Sequence, residues 1–89
     1  MSSIDDTLKG RGKDYGEYKD NVEAVAKIMK ALNEVHKRKT AEDLNLIDFT
    51  NLNYIVIKLA RLAATPDHID SWHDLQGYAK LAEEYYKDK

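Results

Sequence analysis

Three stretches of the chain repeat apolar residues at the three- and four-residue spacing of an amphipathic helix. In the first stretch these residues are Val22, Val25, Ile28, Leu32 and Val35. In the second they are Leu44, Ile47, Leu52, Ile55, Val56, Leu59, Leu62 and Ala63. In the third they are Trp72, Leu75, Tyr78, Leu81, Ala82 and Tyr85. The pattern predicts an all-α fold of three main helices in an antiparallel bundle. A strand over 54–57 is rejected because no turn residues flank it.

Polar residues and a proline mark the predicted ends of the second and third helices. Thr40 is predicted to cap the second helix by accepting a hydrogen bond from the amide of Asp43. Pro66 is predicted to end that helix, because the residue before a proline is disfavoured in the α conformation. Either Asp67 or Asp70 is predicted to cap the third helix.

The length of 89 residues fits one domain. Residues 1–13 contain few apolar groups and are predicted to form a flexible N-terminal segment ahead of a single helical domain over 14–89. A chain this short buries a modest fraction of its surface. We therefore expect a homo-oligomer, with a dimer favoured, to complete the bundle.

Composition narrows the classes of partner and compartment. Fourteen Lys and Arg against sixteen Asp and Glu give a net charge of −2, so we do not expect binding to duplex nucleic acid. The absence of cysteine excludes disulfides, thiolate nucleophiles and Cys-type zinc sites, and fits a reducing compartment. No apolar run approaches the roughly 18 residues of a membrane span. The composition thus predicts a cytoplasmic protein that does not associate with membranes.

Two carboxylates at the start of the third helix form a candidate metal site. Asp70 and Asp74 are four residues apart and share one helix face, where like charges are destabilising without a cation or proton partner. Mg²⁺ takes carboxylate oxygens and keeps several waters, so these two residues and one carboxylate from the first helix would suffice. Mg²⁺ is therefore the expected cofactor. The structural alternative for Asp70 is a helix cap.

The start of the first helix carries an acidic stripe. Asp14, Glu17, Asp20 and Glu23 recur every three residues, which brings neighbouring members together on the helix surface. Asp20 is the candidate third metal ligand, and Glu17 or Glu23 is the candidate general base that would activate a water. The alternative is a solvated acidic first turn that interacts favourably with the helix dipole.

Two cations on the second helix are candidate phosphate contacts. Lys58 and Arg61 are three residues apart and emerge beside an apolar face. They could bind phosphate oxygens. They could equally pair with Asp70 and Asp74 and hold the second and third helices together, and this structural interpretation is favoured by the sequence.

Two further groups are candidates for substrate binding. Arg11, Lys13 and Tyr15 precede the first helix in the stretch RGKDYG, whose basic and aromatic composition suits the phosphate and base of a nucleotide. Gly77 lies inside the third helix, where glycine costs about 1 kcal/mol relative to alanine. We expect another helix or a ligand to approach closely there, and Tyr78 beside it is a candidate substrate contact.

Several segments together resemble a family of small phage and prophage helical domains. They are YG at 15–16, Asn21, TAEDLNLIDFTNLNYIVIKLARLA at 40–63 and HIDSWHDLQGY at 68–78. The family pattern has a basic residue before YG, a KxxR element at the end of a helix, and a final DSxxDxxGY element. The resemblance covers about four-fifths of the chain and implies a phage-encoded protein, located in the cytoplasm of the host bacterium.

This family is in turn distantly similar to the MazG-like, all-helical nucleoside triphosphate pyrophosphohydrolases and to phage nucleotide-modification-associated domains. The enzymes cleave between the α and β phosphates with Mg²⁺ held by ExxE and ExxD motifs, usually as dimers or tetramers. The resemblance implies that Asp70 and Asp74 stand at the second acidic motif, with Lys58 and Arg61 as phosphate contacts. In this chain, DxxxD replaces ExxD and no clear ExxE is present.

Three hypotheses for the function follow. The first is a phage-encoded nucleotide-handling protein, either a MazG-like pyrophosphohydrolase or a relative that binds nucleotide. The second is a non-enzymatic binding protein that inhibits a host protein or sequesters a nucleotide signal. The third is a structural oligomer in which the DSxxDxxGY element locks helices together. Turnover of a molar excess of nucleotide would separate the enzyme from the other two.

Overall fold

A computed structural model of the protein describes Ile4 and residues 16–88. Over residues 16–88 the chain forms three helices, α1 (Tyr18–Thr40), α2 (Leu46–Ala64) and α3 (Ile69–Lys87), and no strand. The prediction of an all-α fold with three main helices is confirmed. The stretch 54–57 lies within α2, so the rejection of a strand there was correct.

Helix α2 is the centre of the arrangement and packs against both α1 and α3. The neighbouring helices are antiparallel. An early residue of α2, Asn51, meets Tyr86 near the end of α3, and Gly16 before α1 lies beside Ala64 at the end of α2. The predicted antiparallel bundle is therefore present. Completion of the bundle by a second copy stays a prediction.

The predicted cap of α2 was wrong. Thr40 is the last residue of α1, where its hydroxyl donates to the carbonyl of His36. The residue at the start of α2 is Asn45, whose side-chain oxygen accepts a hydrogen bond of 2.9 Å from the amide of Asp48. The side chain of asparagine caps a helix at least as well as that of threonine. Because the chain turns after Thr40, α2 is capped five residues later than predicted.

The predicted caps of α3 were also wrong. His68 occupies the cap position with extended backbone, and no side chain caps the helix there. Asp70 lies within the first turn, where a carboxylate is favourable near the positive helix end. Pro66 does end α2, whose last residue is Ala64. The carbonyl of Pro66 accepts a hydrogen bond of 2.8 Å from the indole of Trp72.

Gly16 and Gly77 differ in how closely other residues pack against them. Gly16 has a φ of +83°, and a Cβ built there would lie 3.2 Å from the Cβ of Ala64, so both its backbone and its packing favour glycine. The expected approach of another helix to Gly77 is not found among the described residues, because a Cβ at this position would meet no neighbouring element within 4 Å. The alternative, a ligand at Gly77, stays a prediction. Close packing therefore accounts for Gly16 and does not account for Gly77.

The apolar core of the described residues is small. Its buried hydrophobic members are Met29, Val56, Ala60 and Leu62. Many large apolar side chains remain exposed, among them Leu46 and Leu81. No helix within 16–88 combines the length and the apolar character needed to cross a membrane.

Candidate functional site

The candidate site lies where α2 and α3 face each other across their middle turns. Tyr54 and Lys58 are four residues apart on α2, and Asp74 and Tyr78 are four apart on α3, so each pair shares a helix face. Because the helices are antiparallel, Lys58 meets Asp74 and Tyr54 meets Tyr78. We call these four residues the Lys58 cluster.

Lys58 is a buried lysine, with 8% of its surface exposed. Its ammonium donates to Oδ2 of Asp74 over 2.9 Å, and Asp74 is half-exposed. A buried ammonium requires a partner because its desolvation costs several kcal/mol. The hydrogen bond from Lys58, followed by its charge, lowers the pKa of Asp74. The carboxylate therefore stays ionised at neutral pH, and the sequence alternative that pairs Lys58 with Asp74 is confirmed.

The aromatic half of the cluster is a parallel stack. The rings of Tyr54 and Tyr78 have centroids 4.8 Å apart and are inclined by 3°. The ammonium of Lys58 lies 5.9 Å from the centroid of Tyr78, at the limit of a cation–π contact. The cluster thus combines a cation, a carboxylate and two aromatic rings. Tyr78, a predicted substrate contact, belongs to it.

The predicted cation Arg61 lies one turn after Lys58 and is partly buried. Asp70 lies one turn before Asp74 and is exposed in the first turn of α3. Between the two carboxylates, Ser71 is buried, and its hydroxyl lies 2.8 Å from Nδ1 of His68. This contact orders the start of α3 and supports the reading of Ser71 as a helix-start hydroxyl.

Three members of the acidic stripe, Glu17, Asp20 and Glu23, lie among the described residues, and all three are exposed. Glu17 occupies the cap position without a side-chain cap bond, Asp20 lies in the first turn, and Glu23 is 3.9 Å from Lys19. They lie at the start of α1, which is near the end of α2, as the closeness of Gly16 to Ala64 shows. The roles of Glu17 and Glu23 as bases stay predictions.

Among the described residues, the predicted metal ligands do not converge into a magnesium site. Residues 16–88 contain no group of three or more His, Cys, Asp or Glu that could hold a metal ion. Of the predicted ligands Asp20, Asp70 and Asp74, the last is already the acceptor for Lys58. Mg²⁺ binding stays a prediction that these side chains do not support. Three predicted contacts, Arg11, Lys13 and Tyr15, lie outside the described residues.

A polar cluster adjoins the Lys58 cluster towards the end of α3. The hydroxyl of Tyr86 donates to Asp48 and accepts a hydrogen bond of 3.1 Å from the amide of Asn51. The hydrogen bond to Asp48 raises the pKa of Tyr86. The phenol therefore stays protonated at neutral pH and joins the first half of α2 to the last turn of α3.

Sequence reasoning missed Tyr54, Asp48 and Tyr86. Tyr54 entered the sequence analysis only as the first residue of the rejected strand over 54–57, although its spacing of four from Lys58 matches the spacing of Asp74 and Tyr78. In an antiparallel pair of helices, two matched spacings of this kind predict two adjacent contacts. That signal was available. Nothing in the local pattern linked Asp48 to Tyr86, which is 38 residues away.

Comparison with known proteins gives a relationship without a function. The Gene 55 protein of Mycobacterium phage D29 is 32% identical over 78 residues, which cover 88% of this chain. The chain spans 46% of the length of that relative. No solved structure matches. The similarity to a phage gene product makes the chain a phage-related protein. Over residues 1–86 the sequence matches the profile of the domain of unknown function DUF6378, and the chain belongs to this family.

Proposed function

We propose that this phage-related chain handles nucleotides, and that it binds a nucleotide at the Lys58 cluster. One observation carries the proposal. A buried ammonium lies between a carboxylate 2.9 Å away and the ring of Tyr78, which stacks on Tyr54. This arrangement unites a group that attracts phosphate with an aromatic surface beside it.

Phosphate would compete with Asp74 for the ammonium of Lys58. The carboxylate is half-exposed and can rotate towards solvent, whereas the lysine is held by its burial. Arg61, one turn along α2, provides a second cation at the spacing at which helical neighbours act together. The ring of Tyr54 is partly exposed, and stacking of a base on an aromatic ring contributes about 1–3 kcal/mol.

The distant resemblance to MazG-like enzymes that the sequence motifs suggest motivates the finer proposal of pyrophosphate release. In such a reaction, Glu17 or Glu23 would act as the base, and Mg²⁺ would neutralise phosphate charge. Because the donors within residues 16–88 do not form a three-ligand group, binding is the primary proposal. Turnover is measured alongside binding, and its dependence on Mg²⁺ tests the cofactor separately.

The experiment measures thermal shift and pyrophosphate release with a panel of nucleoside triphosphates and cyclic nucleotides, with and without Mg²⁺. We expect at least one nucleotide to raise the Tm of the wild-type chain. Lys58→Met keeps the volume of the side chain and removes its charge, so it should weaken nucleotide binding at least tenfold. The control is Lys80→Met, which removes a lysine from an exposed ion pair on α3.

Three outcomes would be informative. Turnover that requires Mg²⁺, Asp70 and Asp74 supports the pyrophosphohydrolase proposal. A thermal shift without turnover supports a nucleotide-binding module. If no nucleotide changes the Tm or is consumed, or if Lys58→Met and Lys80→Met bind equally, the proposal is wrong.

Binding of a host protein is the second candidate, and a different surface favours it. Trp72 is 45% exposed, yet its indole is fixed by the hydrogen bond to the carbonyl of Pro66. Ile69, three residues earlier on α3, is 73% exposed. A rigid, exposed tryptophan beside an aliphatic side chain is typical of a protein-binding hot spot.

Expression in a bacterial host tests this second candidate. If the chain inhibits a host protein through this surface, its expression should slow growth, and Trp72→Ala should relieve the inhibition while Tyr85→Ala should not. Equal inhibition by both variants, or none by the wild-type chain, would argue against it.

A further inference from the structure

A groove of about 470 Å³ runs between the first half of α2 and the second half of α3. It is lined by Leu46, Ile47, Thr50, Asn51, Tyr54, Tyr78, Leu81, Ala82 and Tyr85. Three aliphatic residues of the lining project strongly into solvent: Leu46 is 84% exposed, Leu81 is 63% exposed and Ile47 is 53% exposed. Exposed apolar groups that lie together on one face mark an interaction surface more strongly than scattered ones.

The groove is also unusual in its charge. None of its nine lining residues is Asp, Glu, Lys or Arg, although these four residue types make up 34% of the chain. By composition, about three charged residues would be expected among nine. Charged residues are depleted at the cores of protein interfaces. An uncharged face suits one partner in particular, a second copy of this chain, because a two-fold contact places the same surface patch of both copies face to face.

We propose that this groove is the surface through which two copies of the chain associate about a two-fold axis. In such an isologous contact, a charged face would repel itself, whereas an uncharged face does not. The exposed aliphatic side chains of one copy, which include Leu46 and Leu81, would fill the groove of the other copy. The contact would also cover the outer side of Tyr54 and Tyr78.

The size of the groove sets the expected strength of the dimer. A standard protein interface involves about 20–30 residues on each side, which is more than the nine that line the groove. We therefore expect a reversible dimer whose population changes with protein concentration. Because the contact would cover the ring of Tyr54, on which a base is proposed to stack, a second copy and a nucleotide would compete for this surface. The test of the dimer is therefore carried out without nucleotide, and either proposal can fail while the other holds.

Sedimentation velocity over a range of protein concentrations tests the proposal with two matched variants. Leu81→Glu introduces a carboxylate into the groove, so a symmetric dimer would bring two carboxylates together. Val35→Glu makes the same change at a residue of α1 that is 60% exposed and lies outside the groove. We expect Leu81→Glu to raise the dissociation constant at least tenfold and Val35→Glu to leave it unchanged. Helical content by circular dichroism checks that both variants fold.

Cysteine cross-linking provides a second measurement. The chain has no cysteine, so a single introduced thiol can form a disulfide only between two copies. We expect Thr50→Cys in the groove to form covalent dimers under mild oxidation and Val35→Cys to form far fewer. The proposal is overturned if the wild-type chain is monomeric at all concentrations, if both glutamate variants dissociate equally, or if Val35→Cys cross-links as readily as Thr50→Cys.

Discussion

The two sides of α2 are packed by different chemistry. Against α1, the contact includes buried apolar residues, with Met29 on α1 and Val56 on α2 both only 2% exposed. Asn33 adds a polar anchor, since its oxygen accepts a hydrogen bond of 2.7 Å from the amide of Leu44 and its nitrogen donates to Asp43 over 2.8 Å. The α1–α2 side is thus an apolar contact, and hydrogen bonds with Asn33 hold the loop between the two helices against α1.

Against α3, the same helix presents a buried cation and aromatic rings. Lys58 pairs with Asp74, Tyr54 stacks on Tyr78, and Tyr86 bonds Asp48 beyond them. Apolar packing stabilises a fold without providing polar groups for a ligand. A buried ion pair adds little net stability, because the desolvation of its charges offsets their attraction, so its presence favours a role in specificity or binding. The comparison therefore assigns stability chiefly to the α1–α2 side and the candidate chemistry to the α2–α3 side.

The largest effect is expected from truncation of the apolar side. Met29→Ala removes most of a buried side chain and leaves a cavity, so it should lower the free energy of unfolding by about 3 kcal/mol. Val35→Ala, at an exposed position of the same helix, should change it by less than about 0.5 kcal/mol. Urea unfolding followed by circular dichroism measures both. Similar effects for the two variants would show that the α1–α2 side does not contain the stabilising core.

The next effect concerns the ion pair on the other side of α2. Asp74→Ala leaves the ammonium of Lys58 buried without its carboxylate and should be clearly destabilising. Adding Lys58→Met to Asp74→Ala removes the unpaired charge, so the double variant should be more stable than Asp74→Ala alone. The urea midpoints of the three proteins test this order. The same cycle at the exposed pair Lys80 and Glu84 should be nearly additive, because that pair is solvated.

A smaller effect is expected at the loop between α1 and α2. Asn33→Ala leaves the partly buried amide of Leu44 without its acceptor and should cost about 1–2 kcal/mol in the free energy of unfolding. Asp43→Ala removes the exposed half of the contact and keeps the bond to Leu44, so its effect should be smaller. If thermal unfolding shows that Asp43→Ala is more destabilising than Asn33→Ala, the carboxylate of Asp43 stabilises the loop more than the side-chain amide of Asn33 does.

The smallest effect is a pH dependence that both sides share. A hydrogen bond from Lys58 lowers the pKa of Asp74, and one from Asn33 lowers the pKa of Asp43. A folded-state pKa below the unfolded value near about 3.9 means that each carboxylate stabilises the fold above that pH. This contribution is lost as the pH falls through the folded-state pKa.

Urea midpoints between pH 6 and pH 2.5, followed in Asp74→Asn and Asp43→Asn, separate the two contributions. Each variant should show a shallower loss of stability in acid than the wild-type chain. If the urea midpoint of the wild-type chain stays constant when the pH is lowered below about 4, the two carboxylates are not coupled to folding.

Particular residues show which features of the fold and of the candidate site can be predicted from the sequence. The periodicity predicted the helices, and Pro66 predicted the end of α2, because both signals are local. The alternative that pairs Lys58 with Asp74 was correct because their helices are consecutive and antiparallel. The cap at Thr40 was wrong because Asn45 offers an equivalent side chain, and local pattern alone does not rank the two.

The sequence by itself determined the helical class, the amphipathic faces and the residue types from which a site could be built. Only the tertiary structure decided which of those residues meet. It joined Tyr54 to Tyr78 and Asp48 to Tyr86, left Gly77 open to solvent, and kept three acidic residues from forming a metal-binding group in the described chain. The physical reason is that helix formation depends on neighbours three and four residues apart, whereas these contacts depend on the register between helices, which side-chain packing sets.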